Sequence, residues 1–329
     1  MKVLFIGGSG NISTGCSHLA AEKGIDLYVF NRSLRKADLP RGVHQITGDF
    51  GNPFEMKKEF AGRNFDVVVN FILFDPAQAS QDIEMFSGHV KQYVFISTAT
   101  VYQKPPRHYV ITEDTPLGNP FWEYAQKKTA VENMLMKAYR EFGFPVTIVR
   151  PSFTYGDEFI PTPMSTDYTP VARLKKGLPL IVHGDGTSLW VMTHASDFAK
   201  GLVGLLGHEG AIGEGVHITS DEVLTWNQVH ELIGKALGVT PRLVHIPSEF
   251  IARINPRIGA GLLGDKAHSM VFDNSKIKRL VPDFNCVVSF EQGIARTIAH
   301  LEAHPEAQRT DADAATEEIL RIWHQAVDC

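Results

Sequence analysis

Cysteine is scarce in this chain, with three in 329 residues, and Cys16, Cys286 and Cys329 share no metal-ligand spacing. An odd, widely scattered set argues against a disulfide framework and against a thiolate metal site. No stretch approaches the ~20 consecutive apolar residues that a membrane span requires. The opening MKVLFIGGSG meets glycine too soon to serve as the apolar core of a secretion signal. An excess of one charge is also missing. Formal net charge is −5 and the pI near 6.3, so bulk electrostatics favour no polyanion. No internal repeat or low-complexity tract interrupts the chain. These absences leave the expectation of a reduced, cytoplasmic protein. At 43% hydrophobic and 21% charged residues, it can build one large domain or two modest ones.

What is present is an alternation. KVLFI, DLYVF, HQIT, DVVVNF, QYVFIS and VTIVR read as short buried strands bounded by turn residues or charge. Between them ISTGCSHLAAEKG, PFEMKKEFAG, residues 77–89 and WEYAQKKTAVENMLMKAYREFG read as helices. That order predicts an α/β fold, a Rossmann-type doubly wound parallel sheet. After Arg150 the rhythm loosens into proline-bearing loops, which predicts a smaller C-terminal α/β substrate domain. The expected division assigns residues 1–155 plus about 185–212 to a dinucleotide domain. Residues of about 156–184 and 213–300 go to the substrate domain, and 301–329 to a helical tail. In that tail DADAATEEILRIWHQAV reads as a separate amphipathic helix with Asp311 as N-cap.

The first strand runs directly into GGSGNIS and a helix. Gly7 and Gly10 suit a dinucleotide-binding turn, where the chain must bend tightly and let a pyrophosphate approach the backbone. Asn11 and Ile12 lead from the loop into the helix, and Ser13 takes the place of a third glycine. The second strand ends FNRS, so Asn31 stands where an NAD enzyme usually carries a carboxylate for the ribose hydroxyl. Arg32 and Ser33 follow, with Arg35 and Lys36 close behind. A guanidinium can pair with a 2′-phosphate that a carboxylate would repel. The pattern favours NADP(H) over NAD(H), the alternative being a solvated basic loop.

FWEYAQKK places Tyr124 four residues before Lys128 on a long helical stretch, so the two face the same way. Alone, the pair could be two polar residues on a helix surface. The strand ending FISTATVY lies upstream, with Thr98 and Tyr124 separated by 26 positions. GGSGNIS, GDF with Asp49, STATVY, YAQKK, RPSFTYG, GDGTSLWVMTHASD and ITSDEVLTWNQV follow one another in an order that resembles the extended short-chain dehydrogenase/reductase family. That family includes the nucleotide-sugar epimerases and dehydratases. VFNRS and GDF resemble the bacterial relatives of the chloroplast stem-loop RNA-binding proteins.

The resemblance implies an NAD(P)-dependent enzyme with Tyr124 as acid/base and Lys128 as its partner. Thr98 would hydrogen-bond the reacting oxygen, with Ser97 as the neighbouring alternative. A free tyrosine titrates near 10, and a nearby ammonium favours its phenolate. Lys128 would also reach the nicotinamide ribose. Asp49 would contact the adenine, and the backbone near Pro151 and Ser152 the nicotinamide amide. Asn70 and Phe71 end the fourth strand, where the family has small residues, so Phe71 is expected to narrow the cofactor cleft. Relatives that dimerise use a four-helix bundle containing the tyrosine-bearing helix. Ala130, Met134 and Ala138 leave an apolar face for such a homodimer.

Three departures bear on the substrate. Ala99 and Thr100 stand where 4,6-dehydratases carry Asp-Glu, and neither can supply that acid and base. Trp190 replaces the arginine that clamps a nucleotide diphosphate in epimerases, and an indole offers one neutral donor. Phe153 replaces an asparagine of the same clamp. Thr100, Phe153 and Trp190 are therefore candidate pocket residues for a sugar-like small molecule that is not nucleotide-linked. The two aromatics could equally be core residues. A nucleotide-sugar epimerase remains one alternative. Another class, a cofactor-sensing or RNA-binding protein on the same fold, lacks support from any basic stripe with interleaved aromatics. His183 and His194 read as structural, KIKR (276–279) as a solvated face, and no metal site is expected.

Overall fold

A computed structural model describes residues 1–32 and 39–327. Ser33, Arg35 and Lys36, which bear on the cofactor expectation, lie outside the described residues. Seven strands form the central sheet: β1 (Lys2–Ile6), β2 (Asp26–Asn31), β3 (His44–Thr47), β4 (Val67–Asn70), β5 (Gln92–Ile96), β6 (Val146–Pro151) and β7 (Gly215–Ile218). Their order is β7-β6-β5-β4-β1-β2-β3, every pairing parallel. The order reverses between β1 and β4, where register sets Ile6 opposite Asn70. In open sheets of this kind ligands bind beyond the carboxyl ends of the strands at that reversal. β7 extends the sheet past the boundary expected near residue 212.

The central strands β1, β4, β5 and β6 are buried on both faces, which is why their runs are apolar rather than alternating, whereas the edge strand β3 buries only Ile46. Val3, Phe5, Val67 and Val69 point to one side, packing with Phe198 and Leu202. Leu4, Ile6, Val68 and Phe95 point to the other, packing with Val131 and Leu135 of the helix Glu123–Phe142. Val131, Leu135 and Ala138 recur at helical spacing and face this core. Ala138 is thus unavailable to a partner chain, and Met134 packs against the same cluster; Ala130 is exposed. The helix ends at Gly143, whose φ of +74° closes the last turn in the left-handed region.

Beyond β6 the chain builds a second core around Tyr155, Trp190, Trp226 and Phe290, joined by Tyr102 from the segment after β5. The tail helix is not separate. It begins at Asp313 and buries Ile319 and Leu320 beside Ile181, Ile251 and Leu262. Arg173 pairs with Asp313 and Glu317, both at 2.6 Å. Asp311, the expected cap, meets Arg309 instead. The KIKR segment is more engaged than a solvated face: Lys276 pairs with Glu214, Lys278 with Asp221, and Ile277 is buried. Among the described residues no helix is long and apolar enough to cross a membrane.

Candidate active site

The glycine-rich loop leaves β1 at the point of strand reversal. Gly7 adopts φ +85°, and a Cβ there would lie 2.6 Å from Ile72 Cγ2, so the fold itself requires glycine. Gly10 differs. A Cβ at Gly10 would meet nothing closer than Ser13 Oγ at 3.6 Å, so the protein alone would tolerate alanine. Open space at a glycine beside a helix N-terminus is what a close-lying phosphate group would use. The Ser13 hydroxyl accepts from Gly10 N at 2.7 Å and donates to Gly7 O at 2.8 Å, pinning the turn. Asn11 donates to Thr154 O at 3.0 Å, and Ile12 packs on the adjacent core.

Around the adenosine end, Asn31 donates to Ser9 Oγ at 3.3 Å and accepts from Gln45 at 3.1 Å. Arg32 is exposed next to it. Asp49 is exposed, and its carboxylate accepts from Gly51 N at 2.9 Å. Asn70 is fully buried. It donates to Asp82 at 2.7 Å and accepts from Ile72 N at 2.9 Å, so its side chain serves the fold under the cleft. Phe71 packs edge-on against Phe5 at 5.3 Å and joins the core, which spends the ring expected to narrow the cleft. Pro151 closes β6, and the Ser152 hydroxyl donates to Val191 O at 2.7 Å.

Tyr124 is the second residue of its helix, close to the positive end of the helix dipole. Its ring lies 5.2 Å from Trp122 and 6.4 Å from Phe74. Burial pushes its phenol up to about 12, against a hydrogen bond with Thr98 that favours the phenolate; Asp265 adds to the upward push. Thr98 follows β5 and caps the short turn Ala99–Val101, accepting from Thr100 N at 3.2 Å, with the Thr100 hydroxyl also at 3.2 Å. Thr98, Thr100 and Tyr124 therefore come together. Ser97 does not join them: its hydroxyl donates to Glu132 at 2.5 Å, and Glu132 is held by Arg150 at 2.6 and 3.0 Å.

Lys128 is 1% exposed. It donates to Leu73 O at 2.8 Å and Ile96 O at 2.9 Å, with the Phe74 and Phe95 rings at 4.6 and 4.7 Å. Burial pulls its ammonium down to about 7, opposed by Glu132. Its Nζ is 5.9 Å from the Tyr124 ring centre. Burial disfavours the charged form of both groups.

On the other side of Tyr124 the pocket differs from expectation. Trp190 is 2% exposed and stacks on Trp226 at 5.6 Å, a core aromatic rather than a pocket face. Phe153 is half-buried, edge-on to Phe159 and Trp226. His183 Nε2 donates to Lys266 O at 2.8 Å, and burial pulls the imidazole down to about 4. His194 caps the helix Ala195–Leu205. The residues missed by sequence reasoning are Trp122, Lys104, Asp265 and Lys266. The signal for the last two was two charges set in the otherwise small and apolar GAGLLGDKA. A separate cleft of about 520 Å³ opens between Gln103 and Pro116, and no residue named above except Gln103 and Pro116 lines it.

A profile of the NAD dependent epimerase/dehydratase family matches residues 3–219. The chain belongs to that family. Within it, the chain is 28% identical over 287 residues to 2'-dehydrokanamycin reductase of Streptomyces kanamyceticus, covering 86% of this chain and 80% of the relative. It is 25% identical over 269 residues to the chloroplast stem-loop binding protein of 41 kDa b of Arabidopsis thaliana, covering 76% and 67%. An epimerase structure from Methanothermobacter thermautotrophicus superposes with a TM-score of 0.76 at 18% identity, over 94% of both chains. A UDP-glucose 4-epimerase from Bifidobacterium longum, in complex with NAD+ and UDP, gives 0.75 at 21% over 93% of this chain and all of that one. Those structural likenesses show the fold. Membership of the epimerase/dehydratase family makes the chain an NAD(P)-dependent enzyme of the extended short-chain dehydrogenase/reductase type.

Proposed function

We propose that this enzyme moves a hydride between a nicotinamide and a hydroxyl–carbonyl pair on a sugar-like small molecule that carries no nucleotide. One observation carries the reading: Tyr124 meets Thr98 at the carboxyl edge of the sheet, one helical turn from the buried Lys128. Thr98 orients the reacting oxygen, and Tyr124 gives or takes its proton. A nicotinamide, if bound there, would supply the hydride donor or acceptor, and the charge of its oxidised form would favour the Tyr124 phenolate against the burial that pushes the phenol up to about 12. Lys128 holds the floor of the cleft through Leu73 O and Ile96 O, and it is the residue that would meet a nicotinamide ribose. Gly10 and the helix start after it suit the pyrophosphate, and Asn31 with Arg32 favours NADP(H).

Ala99 and Thr100 after Thr98 supply no second acid and base, which disfavours 4,6-dehydration. The burial of Trp190 where a diphosphate clamp would stand disfavours a nucleotide-linked substrate. In this reading residues 1–155 with about 185–218 hold the dinucleotide, and about 156–184 with 219–300 hold the substrate. The test is turnover of NADPH and NADH with a panel of keto sugars, and of the oxidised cofactors with the matching alcohols, in wild type and Tyr124→Phe. Turnover that is lost in the variant supports the enzyme reading. A nicotinamide released near one per chain on denaturation would favour epimerisation over dehydrogenation. Binding of RNA that survives Tyr124→Phe, with no turnover of any pair, would favour the other class that the chloroplast relative's name suggests.

A further inference from the structure

The turn Leu262–Lys266 is a single π-helical turn packed against Trp122, whose ring lies 5.2 Å from that of Tyr124. Such turns are rare and often mark functional positions. Its backbone is tied down from several directions. Lys266 O lies at 2.8 Å from His183 and accepts from Trp226 Nε1 at 3.0 Å and Ser188 at 3.3 Å. Gly264 O accepts from Asn119 at 2.6 Å, and a Cβ at Gly264 would strike Trp122 at 2.9 Å. The fold holds this turn firmly and presents two charged residues from it.

Those two charges do not balance their surroundings. Lys266 Nζ lies 5.3 Å from the Trp122 ring centre and 4.9 Å from that of Phe153, and 3.6 Å from Asp265. Lys104 reaches the other oxygen of Asp265 at 3.4 Å, an ion pair without an aligned hydrogen bond. The side chains are 0%, 6% and 11% exposed for Lys104, Asp265 and Lys266. Two buried ammonium groups thus share one carboxylate, and Lys266 repels Lys104. Burying unmatched charge costs several kcal/mol per ion, so such clusters persist where they serve a ligand. Lys266 faces the Trp122 ring, and that ring lies 5.2 Å from the Tyr124 ring, so the cluster sits beside the tyrosine.

We infer, resting on the reading above, that Lys266 anchors an anionic substituent of the substrate, a carboxylate or a phosphate monoester. The ammonium is poised between two aromatic faces that a sugar ring can share, and an incoming oxyanion completes the charge balance that Asp265 leaves open. Lys104 acts as a positioning residue that fixes Asp265. The substrate class is then an acidic sugar rather than a neutral or amino sugar.

The test uses full-length protein loaded with oxidised cofactor, at constant ionic strength. Glucuronate, glucose 6-phosphate, glucose and glucosamine are titrated against tryptophan fluorescence and thermal melting. Lys266→Met is the variant, because it removes the charge while leaving the anchored carbonyl intact. The expected result is saturable binding of glucuronate or the sugar phosphate, with little response to the other two. In Lys266→Met that binding should weaken about tenfold or more, a loss of roughly 1.4 kcal/mol. Which of the two acids binds separates the carboxylate from the phosphate source. Equal responses to all four sugars, no response of wild type to either acid, or unchanged acid binding in the variant would overturn the inference. Failure of the cofactor itself to bind would instead overturn the functional reading beneath it.

Discussion

In the proposed site Tyr124 stands between two walls of different origin, one assigned to cofactor and one to substrate. The cofactor wall comes from the carboxyl ends of neighbouring parallel strands, and its groups are spent on one another: Ser97 on Glu132, Asn70 on Asp82, Lys128 on two carbonyls. The substrate wall is assembled from Trp122, Phe153 and the turn Leu262–Lys266, and it carries charge without full partners. One wall is a largely paired scaffold, with Asp82 Oδ1 its exception, and the other shares one carboxylate between two ammonium groups. The difference teaches where each kind of selection acts. A nicotinamide needs backbone approach and a fixed proton donor, whereas substrate choice needs groups left over for the ligand.

The contrast can be broken most severely at Tyr124. Tyr124→Phe should lower turnover by about 10²–10⁴-fold while cofactor affinity stays close to wild type, as read from steady-state rates and NADPH fluorescence. If cofactor binding fell equally, Tyr124 would belong to the cofactor wall alone. Next comes the paired network. Glu132→Ala leaves Arg150 buried without its carboxylate and strips the acceptor from Ser97, so stability should drop by about 3–5 kcal/mol in urea denaturation. An unchanged midpoint would show the scaffold to be less tightly coupled than its geometry implies.

A smaller effect sharpens the assignment of Trp190. Trp190→Phe loosens the stack on Trp226, and its indole N–H has no partner to lose, so stability should fall on the order of 1 kcal/mol with KM unaltered. A raised KM at unchanged stability would return Trp190 to the pocket. The gentlest test concerns Asp82, whose carboxyl burial pushes up from 3.8 to about 7. Between those values the folded chain holds a proton that the unfolded chain has lost, so Asp82 removes stability as pH rises through that window. The loss is complete above it. Asp82→Asn should flatten the melting temperature across that range, and a profile identical to wild type would remove Asp82 as its cause.

The two walls were unequally legible. The strand runs KVLFI, DVVVNF and QYVFIS and the loop at Gly7 and Gly10 announce themselves locally, because a doubly buried strand must be continuously apolar and a tight turn must hold glycine. Those elements appear where the sequence predicts them. Spacing on one helix singled out Tyr124 and Lys128, and their proposed roles came from the resemblance rather than from the spacing. The turn at Asp265 and Lys266 was not legible, since nothing local records that residues some 140 positions after Tyr124 return to its side. Trp190 misled for a related reason: replacing a charged clamp says what the pocket lost, while only tertiary packing shows that the indole turned into the core. The homodimer face also weakened, because Ala138 was needed by the chain's own sheet.

Gly10 offers the most direct test of the central claim. Its Cβ position is open in the protein, so Gly10→Ala should fold and melt like wild type, and only a dinucleotide pressed against the loop would feel the added methyl. Titration with NADPH, followed by its fluorescence, should show one site per chain in wild type. The account predicts an affinity lower by about tenfold or more in the variant at an unchanged melting temperature. Equal affinity in the two proteins, or no binding to wild type, would contradict it.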